Sequence, residues 1–354
     1  MQSIIEQFKT QIRAATAART PLRLRGGGSK DWYGQALAGD ILDTRPYTGI
    51  VDYEPTELVI TARCGTPLSE IEAALALQHQ MLAFEPPHFG PDATIGGVVA
   101  SALSGPGRAS AGAVRDFVLG AKLMDGTGEV LTFGGQVMKN VAGYDVSRLL
   151  AGSLGTLGLI LEVSLKVLPL PFRETSLRFA MSEIDALNKL NVWAGLPLPI
   201  SASCWHDGVL SLRLSGADAA VAAALQKLNG DEFAEGAAFW AALREQTHAF
   251  FAPDACIWRL SVPSTCSALV LKGTQLIEWG GAQRWLKIDG KADSAQANSI
   301  RASVAAAGGH ATLFRGGDKS VGVFHPLAPA VAQIHQRLKL AFDPSAIFNP
   351  GRMY

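Results

Sequence analysis

The chain has 354 residues, 48% apolar and 18% charged, which suits a globular protein of about two domains with a sizeable core. Lysine plus arginine and aspartate plus glutamate number 31 each, so no net field draws nucleic acid or anionic lipid. The four cysteines (Cys64, Cys204, Cys256, Cys266) show no C-x-x-C spacing and no apolar run reaches about 18 residues, which argues against a zinc or thioredoxin-like motif, an iron–sulfur cluster and a membrane-spanning helix.

At the N-terminus Ile4, Ile5, Phe8 and Ile12 fall on one helical face, and the charges between them read against a signal peptide. Pro21–Arg25 reads as a short strand running into Arg25-Gly26-Gly27-Gly28-Ser29. Thr56–Ala62, rich in β-branched residues, is a second strand. Thr66-Pro67 then offers an N-cap with proline at the first helical position, and Leu68, Ile71 and Leu75 form the stripe the helix buries. A second glycine-punctuated stretch runs from Thr94 through Gly96 and Gly97 to Gly105.

Phe117–Met124 and Glu129–Phe133 form a hairpin about Asp125-Gly126. A short helix at Asp145–Leu150 ends at Gly152. In Gly158–Val167, Val163, Leu165 and Val167 alternate with Glu162, Ser164 and Lys166, which predicts a strand with one buried face. Pro169 and Pro171 mark a domain boundary. The order beyond it is strand, helix, strand, strand, helix, which suits a ferredoxin-like layer. Ser182-x-x-Asp185 and Ser215-x-x-Asp218 resemble capping boxes, and Asp207-Gly208 reads as a hairpin turn. Cys256–Val262 and His310–Phe314 add strands, and a last helix carries Leu327, Val331, Ile334 and Leu338 on one face.

The two glycine stretches carry the chemistry. Glycine lets a backbone approach a phosphate closely, and two such loops suggest a pyrophosphate held from both sides, hence a dinucleotide cofactor. The G-x-G-x-x-G fingerprint fails, because Gly28 is followed by Ser29, Lys30 and Asp31. A Walker loop fails because Gly290-Lys291 precedes Ala292, and no histidine opens an H-E-x-x-H motif. Ala151-Gly152-Ser153-Leu154-Gly155 has the look of a nucleophile elbow, but its predicted order is helix then strand, the reverse of what an elbow needs.

Arg25–Ser29, Ala93–Gly97, Arg115-Asp116, Met138–Asp145, Gly152–Gly158, Asn349–Arg352 and the Arg-Met-Tyr end together resemble the vanillyl-alcohol-oxidase type of FAD-binding protein. Within that type they are similar to the smaller flavin subunits of bacterial glycolate oxidases. The resemblance implies an α+β chain: a PCMH-type FAD-binding domain of two α+β subdomains over 1–170, a short ferredoxin-like cap over 171–325, and a C-terminal helix and tail, 326–354, returning to the FAD domain. It implies that Gly26, Gly27, Gly28 and Ser29 line one side of the pyrophosphate and Thr94, Ile95, Gly96 and Gly97 the other. Val118, Gly158 and Ile160 match positions near the adenosine half. Gly105 and Gly112 lie in a loop running past the cofactor, and Asn349 and Arg352 return near the flavin ring.

Some relatives tether the flavin through a histidine in the first loop or a cysteine in the second. This chain has neither, so dissociable FAD is expected, with His88 capping the loop. Larger 2-hydroxy-acid dehydrogenases of this type carry a His-Pro-x-x-Asp-Gly-Asn-x-His motif that helps hold a metal; only His325-Pro326 remains here, and no metal is expected. Oxidising a 2-hydroxy acid needs a cation for the carboxylate and a base for the hydroxyl proton, for which Arg259, Arg315 and His325 are the candidates. The implied role is that of a subunit oxidising glycolate to glyoxylate beside a larger flavin subunit and an iron–sulfur subunit. The implied location is cytoplasmic, peripheral at the inner membrane face through those partners. A self-sufficient FAD-dependent 2-hydroxy-acid dehydrogenase and a structural subunit with a non-catalytic flavin stay open as alternatives.

Overall fold

The structure is a computed structural model that describes residues 1–135, 145–251, 255–290 and 293–353. Of the Met138–Asp145 motif only Asp145 falls among these, and Tyr354 lies outside them. Two compact units emerge: one of residues 1–103, 113–169 and 326–354, the other of 104–112 and 170–325.

In the first unit, helix α1 (Gln2–Ala18) buries Phe8, Ile12 and Ala15. It leads to a parallel pair, β1 (Leu22–Arg25) with β2 (Asp40–Asp43), and Leu22 bridges onward to Phe348 of the C-terminal tail. The larger sheet has five antiparallel strands: β3 (Ile50–Glu54), β4 (Val59–Arg63), β6 (Val118–Met124), β7 (Val130–Gly134) and β8 (Leu159–Lys166), in the order β3-β4-β8-β6-β7. A short pair, β5 (Gln80–Met81) with β9 (Leu168–Pro169), completes the strands of this unit. Helix α2 (Leu68–Ala76) fully buries Leu68, Ile71 and Leu75, as its periodicity requires. The hairpin of β6 and β7 turns at Asp125, whose Oδ1 accepts the N–H groups of Thr127 and Glu129.

Three local expectations differ from what is seen. Thr66 does not cap α2; its hydroxyl accepts the Gly49 N–H and donates to the Gly49 carbonyl, tying β3 to the turn before the helix. Strand β8 is central, so its polar alternates are buried as well: Glu162 accepts from Tyr47 Oη and pairs with Lys122, and Ser164 bonds Thr61. Leu327 lies before the last helix, Pro329–Phe342, which leaves Val331 and Ile334 exposed because it is anchored through Lys339 on the adjoining face instead.

The second unit is one eight-stranded antiparallel sheet built of two similar halves. Its strands are β10 (Arg173–Ala180), β11 (Ile200–His206), β12 (Val209–Gly216), β13 (Asp231–Glu232), β14 (Cys256–Ser261), β15 (Thr274–Glu278), β16 (Gln283–Ile288) and β17 (His310–Arg315). The order is β13-β10-β12-β11-β15-β16-β14-β17, so each half runs fourth, first, third, second strand from its outer edge in to a shared β11–β15 seam. The single ferredoxin-like unit expected is therefore half of the sheet. The second half lacks a helix in its first crossover (262–273), which hid the repeat from sequence pattern.

Helices Glu183–Ala194, Asp218–Leu228 and Ser294–Ala306 cover one sheet face through Leu190, Val221, Ile300 and Val304. Ser182 caps the first of these by accepting the Asp185 N–H, and Asp207-Gly208 turns with both φ positive. Ser215 does not cap the second helix, since its hydroxyl is drawn to Glu174 and Ser201. Among the described residues no helix is long and apolar enough to cross a membrane, and no group of side chains could hold a metal ion.

Candidate functional site

Strand β1 delivers the chain into Gly26–Ser29 at the edge of a groove in the first unit. Leu24, Arg25, Gly26, Gly97, Ala100, Leu154 and Asn349 line its length. One end is walled by Gly27, Gly28, Ser29, Thr94, Ser101 and Arg352, the other by Cys64, Gly96, Gly158 and Ile160.

The backbone N–H groups of Gly26, Gly27, Gly28 and Ser29 meet no acceptor among the described residues. Gly28 sits at φ 75°, which turns the run into a concave row of donors. Positive charge flanks it: Arg25 pairs with Asp31 at 2.9 Å, Arg23 shares the same carboxylate, and Lys30 reaches Ser29 Oγ at 3.3 Å. Arg23, Arg25 and Lys30 bring positive charge to the four donors, with the carboxylates of Asp31 and Asp43 beside Arg25.

The glycines of the first loop answer to the second loop as well as to any ligand. A Cβ on Gly27 would stand 1.5 Å from the Asp92 carbonyl oxygen, and one on Gly26 would stand 2.3 Å from Thr94 Oγ1. The second stretch is a helix start rather than a loop: α3 (Ile95–Ser101) begins directly after Thr94, whose hydroxyl accepts the Gly97 N–H at 3.4 Å. Its Ile95 and Gly96 N–H groups are spent on the carbonyls of Thr66 and Cys64, each at 2.9 Å. The expected symmetric cradle is thus corrected, since amide donors come from the first loop. The second supplies the Thr94 hydroxyl and, at Gly97, open space, where a Cβ would meet only Thr94 Oγ1 at 3.3 Å.

The C-terminal residues act as clamps. Asn349, buried and at φ 41°, accepts the Leu24 N–H at 3.0 Å and donates to the Leu154 carbonyl at 2.7 Å, joining β1 to the Gly152–Gly158 turn. Arg352 donates to the carbonyls of Asp31, Lys30 and Gln35, and burial lowers its guanidinium pKa to about 10. Asn349→Ala should cost roughly 2–4 kcal/mol by leaving a buried amide and a carbonyl unpaired, read as a lower urea midpoint.

Other candidates sit elsewhere. Val118 is buried at the start of β6 and is not part of the groove wall. Gly105 and Gly112 belong to the second unit, where the Gly105 carbonyl accepts Trp279 Nε1 at 3.1 Å. His88 engages Glu72 at 2.9 Å while its carbonyl accepts from Lys30. Arg259, Arg315 and His325 all lie in the second unit, where Arg259 and His325 share His310 as a neighbour within charge reach. Arg259 lies over the Phe314 ring, Arg315 donates to Gln246, and His325 Nδ1 accepts the Ala311 N–H. Arg25, Lys30, Ser101 and Cys64 of the groove were missed; the first two flank the glycine run and were visible there, whereas burial alone reveals the others.

An FAD-binding domain family matches residues 4–134. The chain is 49% identical over 353 residues to the glycolate oxidase subunit GlcE of Escherichia coli, covering 100% of this chain and 97% of that protein. Two partial relatives align at 30% identity: glycolate oxidase subunit GlcD of Bacillus subtilis, over 48% of this chain and 36% of that protein, and a D-lactate dehydrogenase of Archaeoglobus fulgidus, over 46% and 37%. A solved structure of alkyldihydroxyacetonephosphate synthase shares the fold with TM-score 0.67 at 16% identity, over 98% of this chain and 75% of that one. With near-complete mutual coverage at that first identity, the chain belongs to the GlcE family of FAD-linked glycolate oxidase subunits.

Proposed function

We propose that this chain is the FAD-binding subunit of a glycolate oxidase complex, taking part in oxidation of glycolate to glyoxylate. The row of amides at Gly26–Ser29, which meet no acceptor among the described residues and are flanked by Arg25 and Lys30, carries the reading. These residues fit FAD: the amides would receive pyrophosphate oxygens, the cations would neutralise them, and Gly97 leaves the room. FAD, when bound, supplies a two-electron acceptor. Asn349 and Arg352 hold the walls of the groove in register through backbone carbonyls and amides. The first unit is the PCMH-type FAD domain to which the C-terminal helix and tail belong, and the second is its cap.

The cofactor is dissociable. Cys64 lines the groove, but burial pushes its thiol up to about 12, so it is not a thiolate near neutral pH. Alkylation of the native protein with iodoacetamide at neutral pH should mark half-buried Cys266 and spare buried Cys64.

The partners are a larger flavin subunit and an iron–sulfur subunit, which removes the electrons, and the location is cytoplasmic at the inner membrane face through them. Glycolate added anaerobically to the isolated chain should leave its flavin oxidised, while co-expression with both partners should restore glycolate-dependent dye reduction. Bleaching of the isolated chain by glycolate would instead identify a self-sufficient dehydrogenase.

A further inference from the structure

Every other described helix of eight or more residues sends at least two side chains into the buried core, and the last helix, Pro329–Phe342, sends none. Its anchors lie in its final turn. Lys339 Nζ donates to the Thr156 and Phe348 carbonyls at 2.7 and 2.8 Å, and Phe342 meets the Phe133 ring edge-on at 6.1 Å. An apolar edge is left open along the length of the helix.

Val331, Ile334, Leu338 and Ala341 form that edge, and their spacing of three, four and three is that of the a and d positions in a helix-to-helix seam. Val331 is 41% exposed and Ile334 56%, while Ala341 is exposed and Leu338 half-buried. Taking Val331 as a puts His335 at e and Arg337 at g, the two positions that flank such a seam. The helix carries no aspartate or glutamate, and its third basic residue, Lys339, is spent on Asp343. A seam flanked by basic residues alone selects a partner with carboxylates on its own flanks. It selects against a second copy of itself, which would bring Arg337 against like charge. A lipid surface fits less well, because the edge is a narrow stripe of four residues with no aromatic among them.

We propose that the Val331–Ile334–Leu338–Ala341 edge docks an amphipathic helix of another chain, apolar at its a and d positions and acidic at e and g. That the other chain is a subunit of the same oxidase rests on the proposed function; the chemistry of the surface does not.

A fluorescein-labelled synthetic helix of about three heptads, with Leu at a and d and Glu at e and g, tests the surface by anisotropy against the full FAD-loaded chain. Micromolar binding is expected, and the same helix with Lys at e and g should not bind. Ile334→Glu and Arg337→Glu should each weaken binding roughly tenfold or more. FAD content and melting temperature should stay unchanged, since both side chains are exposed. No binding at roughly hundreds of micromolar, equal binding of the acidic and basic helices, or equal affinity in wild type and both variants would overturn the proposal. Co-expression with the larger flavin and iron–sulfur subunits then reads the docking in the complex. Wild type should co-purify with them and Ile334→Glu should not; co-purification of both variants at wild-type yield would contradict docking through this edge. If wild type itself co-purifies with neither subunit, the proposed complex fails, and the helix titration still decides the surface. A dimer of the isolated chain, or its binding to phosphatidylglycerol vesicles, that Ile334→Glu abolishes would assign the edge to a second copy or to lipid instead.

Discussion

Gly97→Leu should yield a folded chain that no longer retains FAD. A Cβ at this position meets only the Thr94 hydroxyl at 3.3 Å, and the rest of the side chain enters the groove. Overpacking of this kind costs about 1–3 kcal/mol, so FAD affinity should fall roughly 10- to 100-fold. Stability of the FAD-free protein should hold or rise, since leucine favours the α3 helix over glycine by up to about 1 kcal/mol. Gly27→Ala makes the contrast: its Cβ would lie 1.5 Å from the Asp92 carbonyl oxygen, so it should destabilise the FAD-free protein as well. Flavin content and thermal melting of the two variants separate space for a ligand from contact between loops.

Asp343→Ala should be the most damaging single change in the first unit. The carboxylate is wholly buried, accepts Lys339 Nζ at 2.5 Å, and receives the N–H groups of Ile347 at 3.1 Å and Phe348 at 2.8 Å. Truncation leaves a buried ammonium without its counter-charge and costs about 3–5 kcal/mol, a fall in melting temperature of roughly 10 °C. FAD retention should fall too, because the segment it pins carries Asn349 into the groove wall. The paired change Lys339→Met with Asp343→Leu should cost less than Asp343→Ala, since it removes both charges together. Equal damage from the two would show that lost packing, rather than an orphaned charge, controls this corner.

What was legible in the sequence followed local chemistry. The Leu68–Ile71–Leu75 stripe, the Asp207-Gly208 turn and the Ser182 cap depend on near neighbours, and all three are seen. The second glycine stretch was readable as a site but not as a helix, because three of its first four residues, Ile95, Gly96 and Gly97, give little helical preference without the Thr94 cap and the carbonyls of Cys64 and Thr66. Thr66 and Ser215 failed as caps for one reason: a hydroxyl takes whichever partner the tertiary fold brings closer. The doubling of the sheet in the second unit was hidden because its second half replaces one helix with an irregular crossover.

The central claim is that the amides of Gly26–Ser29 hold a dissociable FAD. An absorption spectrum of the purified chain, repeated on the supernatant after acid precipitation, tests it most directly. The expected result is an oxidised-flavin band near 450 nm, about that value for any flavin, recovered in full in the supernatant. A colourless protein that takes up no added FAD would contradict the groove assignment, and colour that stays with the precipitate would contradict dissociable binding.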